Sequence, residues 1–73
     1  MSISGKLAWE LQAQNDRGDY TLPQRTALEV AYGVALACDD PGPFSVTMES
    51  IVSQVSNPEI KRLLQLYTRR GLK

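Results

Sequence analysis

Two pairs of carboxylates are the first residues in this chain whose types and spacing could do chemistry: Asp16 with Asp19, and Asp39 with Asp40. Such pairs can divide general-acid and general-base roles between them. Both pairs, however, lie in turn-forming sequence, NDRGD and DDPG, where Asp is common because its side chain bonds the local backbone. The chain has no histidine, which rules out imidazole metal ligation and Ser-His or Cys-His nucleophile activation. Cys38 is the single cysteine; it cannot build a zinc site, and its spacing suits a small buried hydrophobe. No glycine-rich loop has phosphate-binding spacing. The expectation is a protein that is not an enzyme and carries no metal or cofactor.

What remains is chemistry of contact. Lys61, Arg62, Arg69, Arg70 and Lys73 crowd the C-terminal end, where they either coat a solvated helix face or meet phosphate or an acidic protein patch. Met1 to Pro58 holds three basic and seven acidic residues, whereas Glu59 to Lys73 holds five basic and one acidic. A positive tail on a negative body implies a polarised surface. Trp9 is the other candidate. In a helix it lies about 180° around from the stripe of Ile3, Leu7 and Leu11, exposed as an interface anchor. In a strand, or under a second element, it joins the core. The sequence reading favours cover, because the chain is small and has one Trp.

The elements that must position these residues are read from periodicity. Ile60, Leu63, Leu64 and Tyr67 recur at i, i+3, i+4 and i+7, one face of an α-helix. Either Asn57 caps it with Pro58 at the first helical position, or Ser56 caps it with Glu59 closing a capping box. Gly71, after Arg69 and Arg70, is placed for a left-handed C-cap. Met48, Ile51, Val52 and Val55 repeat the spacing in a helix of about ten residues capped by Ser45 or Thr47, two or three residues upstream. Asp39 to Ser45, with two prolines and a glycine, reads as a loop without regular structure.

Further back, Thr21 to Gln24 has capping-box spacing, and Leu28, Ala31, Tyr32, Ala35 and Cys38 line one face of a helix from about Leu22 to Ala37. Gly33 within it signals a close helix crossing. Residues 1–20 allow two readings. KLAWELQAQ contains good helix formers, while Leu7, Trp9 and Leu11 also alternate like a strand, and NDRGDY could turn a β-hairpin. Helix is the reading favoured by propensity. The expected fold is an all-α, single domain of three to four helices, with a helix-turn-helix-like pair at the C-terminal end and an N-terminal β-hairpin as the open alternative.

With 73 residues, a chain this short buries only about 60% of the surface its unfolded form exposes, so marginal stability is expected. Eight basic residues balance eight acidic ones, which argues against coating nucleic acid or anionic membrane through bulk charge. A lone cysteine, no signal-peptide layout at the N-terminus and no apolar run near the roughly 20 residues of a membrane span make the cytoplasm the expected compartment. Two short helices joined by two or three residues suggest DNA reading, with Pro58, Glu59 and Arg62 at the base edges. Glu59 can accept only from cytosine and is repelled by phosphate. The cations cluster at the other end of the helix.

Leu22-Pro23, Arg25, Leu28 and Tyr32-Gly33, followed by Thr47 to Ile51 and Ser56 to Lys61, resemble region four of primary sigma factors. The whole chain, in size and sequence, is also similar to small phage-encoded transcription regulators. That resemblance implies binding to host RNA polymerase, at the N-terminal region of the β′ subunit with the β flap as a further contact. It implies sigma displacement at initiation and readthrough of terminators, in the host bacterial cytoplasm. No sequence-specific DNA contact and no membrane are expected. The residues expected to meet the partner are Trp9, Lys61, Arg62, Arg69 and Arg70. A helix-turn-helix repressor acting as a dimer is the alternative.

Overall fold

Four helices in chain order build the protein in a computed structural model that describes residues 2–73: α1 (Ile3–Arg17), α2 (Leu22–Ala37), α3 (Pro41–Gln54) and α4 (Pro58–Leu72). The all-α expectation holds, and the N-terminal segment is helix rather than hairpin. Its start and stop explain why. Ser2 accepts a hydrogen bond from the Gly5 amide at 3.0 Å, and Gly18 closes the helix at φ 69°, donating to the Gln14 carbonyl. The glycine of NDRGDY thus supplies a left-handed helix cap, not a hairpin turn.

α2 starts as its sequence reads. The Thr21 hydroxyl accepts from the Gln24 amide, and the Gln24 side chain accepts from the Thr21 amide at 2.8 Å. The connector to α1 is clamped by Arg25. Its guanidinium donates to Asn15 and to Glu29 (2.7 Å), and its carbon lies 5.4 Å from the Tyr20 ring centroid. The Glu29 hydrogen bond is the main cause holding the Arg25 pKa above its ordinary value.

The segment Asp39 to Ser45 departs from its reading as a loop. α3 begins at Pro41 and is 14 residues long, capped by Asp40 rather than by Ser45 or Thr47. Both prolines fall in the first turn, where a helix has no use for their missing N–H. Phe44, one turn in, is fully buried. Burying that ring draws the proline-containing turn into the helix.

α4 packs against all three other helices, and it packs most extensively against α2. Its own sequence makes this possible: Leu63, Leu64 and Tyr67 are buried, with Asn57 as the cap, its side chain accepting from the Glu59 and Ile60 amides. Leu7, Leu28, Phe44, Met48 and Leu64 are the largest fully buried side chains, one or more from each helix. Gly71 does not form the expected left-handed cap. It is a buried helical residue, and a Cβ there would lie 3.1 Å from Ile3 and 3.3 Å from Phe44. Close packing, not backbone freedom, is what this glycine provides.

Gly33 is the reverse case. No helix crosses at it, and an added Cβ would meet nothing within 4 Å. Gly33→Ala is therefore expected to raise stability by up to about 1 kcal/mol, because it removes backbone entropy from the unfolded chain at no steric cost. A thermal melt should show a rise of several degrees, of order 4–8 °C per kcal/mol in a chain of this size.

One polar pair lies inside the core. Gln14 is buried, and its Nε2 donates to the Tyr67 hydroxyl at 2.9 Å, tying α1 to α4; its Oε1 has no partner among the described residues. Tyr67→Phe leaves a second buried amide atom unsatisfied and is expected to cost about 1–2 kcal/mol. Adding Gln14→Leu removes both orphaned atoms, so the double variant should recover most of that loss in urea titrations. A double variant weaker than Tyr67→Phe alone would contradict this account.

Candidate partner-binding surface

Asp16, Asp19 and Asp40 are engaged within their own segments, and Asp39 is engaged across the fold at the start of α1. Asp16 accepts from the Gln12 side-chain Nε2, Asp19 pairs with Arg17 at 3.4 Å, Asp39 accepts from the Ser4 backbone amide at 3.0 Å, and Asp40 caps α3. Cys38 is half-buried at the end of α2. These residues serve turns and helix ends.

Trp9 is exposed, at 65% of its maximum. This corrects the reading that a second element covers it: α2 and α4 pack on the sides of α1 that carry Ile3, Leu7 and Gln14, and the indole projects from the opposite side. Lys6, one turn before it, donates to the Lys73 carbonyl, and Glu10, next to it, pairs with Arg70 at 2.6 Å. The outer surface of α1 that bears Trp9 thus adjoins the C-terminal end of α4.

The predicted cations are not equivalent. Three of the chain's eight basic residues form ion pairs: Arg17, Arg25 and Arg70. Among the described residues, Lys6, Lys61, Arg62, Arg69 and Lys73 have no carboxylate partner, and all but Lys6 belong to α4 or its C-cap. Arg70 is already committed to Glu10. Arg62, Leu66 and Arg69 follow at i, i+4 and i+7 in one column along the outer side of α4. At its end Leu66, Arg69, Arg70, Leu72 and Lys73 line a shallow cationic depression with an apolar floor.

Arg69 also lines a different feature. Between α3 and α4 runs a trough of about 460 Å³, lined by Ser45, Met48, Glu49, Val52, Gln65, Thr68 and Arg69. Lys61 lies one turn before Gln65 on α4, outside the lining of the trough. Periodicity and charge marked the α4 side of this trough. Glu49, on the α3 side, was missed, and so was Val46, an exposed apolar residue of α3 outside the trough.

These features define a small helical protein with a polarised contact surface. Comparison with protein-family models, with curated proteins and with solved structures gives no match to the chain.

Proposed function

We propose that this chain is a phage-encoded regulator that binds host bacterial RNA polymerase, blocks initiation by displacing sigma and promotes readthrough of terminators. The observation that carries this reading is the outer surface of α4. Four cations without an acidic partner, Lys61, Arg62, Arg69 and Lys73, lie on one helix or its cap, beside an α1 surface with an exposed Trp9. Exposed aromatic and arginine side chains are enriched at protein-interface centres. The resemblance of the whole chain to small phage-encoded regulators is what implies polymerase, near the β′ N-terminal region and the β flap, and residues 22–73 also resemble sigma region four.

The mechanism is competition. A small protein that covers sigma's footing shifts the holoenzyme equilibrium by its differential affinity for sigma-free and sigma-bound polymerase. Trp9 and Arg62 are the residues whose loss should be felt most. Trp9→Ala and Arg62→Glu are each expected to weaken retention on core polymerase by about tenfold or more. Wild-type protein that retains neither β nor β′ in a pull-down would sink the reading.

A second reading, a helix-turn-helix repressor acting as a dimer, draws on the three-residue connection between α3 and α4. Against it, the first free amides of α4 are bonded to Asn57, so the N-terminus that would meet a phosphate is already satisfied. Duplex titrations at two salt concentrations separate the readings. A repressor binds DNA alone and loses about one log unit of affinity per log unit of salt for each phosphate contacted.

A further inference from the structure

Two contacts tie α1 to the end of α4, and both bring cations to the border between them. The Lys6 ammonium donates to the Lys73 carbonyl, and Arg70 pairs with Glu10 at 2.6 Å. Trp9 belongs to the turn of α1 that makes both contacts, and its indole is exposed. Glu10 is cancelled by Arg70, and its side chain is 17% exposed. Lys6, Arg69 and Lys73 have no carboxylate partner among the described residues. Arg62 continues the row, so that Arg62, Arg69 and Lys73 follow one another about 10 and 6 Å apart along the α4 axis. Among these cations, Leu66 and Leu72 line a depression of about 600 Å³.

We propose that this border is a binding surface for a single strand of nucleic acid. A base stacks on the Trp9 indole, neighbouring phosphates meet Lys6, Lys73 and Arg69, and Leu66 and Leu72 take the flat face of a further base. A row of unpaired cations selects a polyanion. An exposed indole beside them selects a polyanion that carries free aromatic faces, and a single strand has both. A duplex keeps its bases stacked on one another and offers Trp9 no face. The chain as a whole carries no net charge, so the attraction is confined to this border and is not a bulk effect. Stacking and phosphate contacts are tolerant of sequence, so no base-specific reading is implied. The surface overlaps the one assigned to polymerase, but the inference concerns the isolated chain and does not rest on that assignment.

The chain has one tryptophan, so its intrinsic fluorescence reports this surface directly. The full chain is titrated with an oligouridylate of about ten nucleotides, a length typical of single-strand sites. The expected result is saturable quenching of Trp9, with affinity falling about two log units per log unit of salt for three phosphates contacted. In anisotropy measurements with labelled oligouridylate, Trp9→Ala should weaken binding about tenfold, and so should Arg69→Glu combined with Lys73→Glu. Leu36→Glu, on the exposed side of α2, adds negative charge elsewhere and should bind as wild type does. All four substituted side chains are exposed, and circular dichroism checks that each variant is folded. No binding at low salt overturns the proposal, and so does binding that neither quenches Trp9 nor responds to Trp9→Ala. Equal affinity for duplex RNA of the same length, or for polyglutamate of the same charge, overturns it too, the latter by making the surface one for acidic protein. No sample contains polymerase, so the pull-down that tests polymerase binding stands or falls separately.

Discussion

Phe44→Ala is expected to leave the protein largely unfolded at 37 °C. Truncating a buried Phe costs about 3–5 kcal/mol, from lost transfer energy and the cavity left behind. A chain of 73 residues has a total stability of about 4–11 kcal/mol at 0.05–0.15 kcal/mol per residue. The loss is therefore of the same order as the whole. Phe44 also has no substitute in its neighbourhood. Its ring contacts the Gly71 position between α1 and α4, and it anchors a first turn that holds two prolines and so has few backbone bonds of its own. Far-UV circular dichroism against temperature would show the helical signal collapsing at least 10 °C below wild type, on a scale of about 4–8 °C per kcal/mol. A melt within a few degrees of wild type would mean the cavity is refilled by α3 sliding inward.

Gly71→Val carries the second large effect, expected at about 2–3 kcal/mol, the upper part of the range for overpacking. Ile3, Leu7 and Phe44 lie within 3.1–3.4 Å of where a Cβ would stand, and they come from two other helices. A branched side chain there must displace α1 and α3 together or force the end of α4 away from both. Gly71→Ala separates the cause. Its single carbon asks the neighbours to give by a few tenths of an ångström, against a helix-propensity gain of up to about 1 kcal/mol. That variant should stay close to wild type in a urea titration. If alanine and valine cost the same, the glycine is needed for backbone reasons after all.

The two glycine outcomes show how far the sequence could be read. Apolar spacing found α2 and α4 nearly to the residue, because both have an apolar stripe and a capping signal, at Thr21 for α2 and at Ser56 or Asn57 for α4, where the structure uses Asn57. Glycine carries no such periodic signal, so its role had to be guessed from position. Gly18, a hairpin turn only in the alternative reading of residues 1–20, caps a helix; Gly71, read as a cap, is a packing site. The prolines misled for a related reason. Pro41 and Pro43 exclude a helix interior but suit a first turn, and only the burial of Phe44, a tertiary effect, decides between the two. The cations of α4 were legible as a cluster. Their division was not: Arg70 is lost to Glu10, sixty residues upstream, and no local pattern reports an ion pair at that separation.

α4, like α2, packs on all the other helices, and among the described residues it carries, with its C-cap, all but one of the unpaired cations. Whatever grips its outer side also restrains the inner side, so ligation and global opening are thermodynamically linked. Amide hydrogen exchange would make that linkage visible. The slowest protons in α1 and α2 exchange through openings that must release α4, and an occupied α4 makes those openings rarer. A partner bound on one face of the molecule would thus slow exchange in helices it never touches.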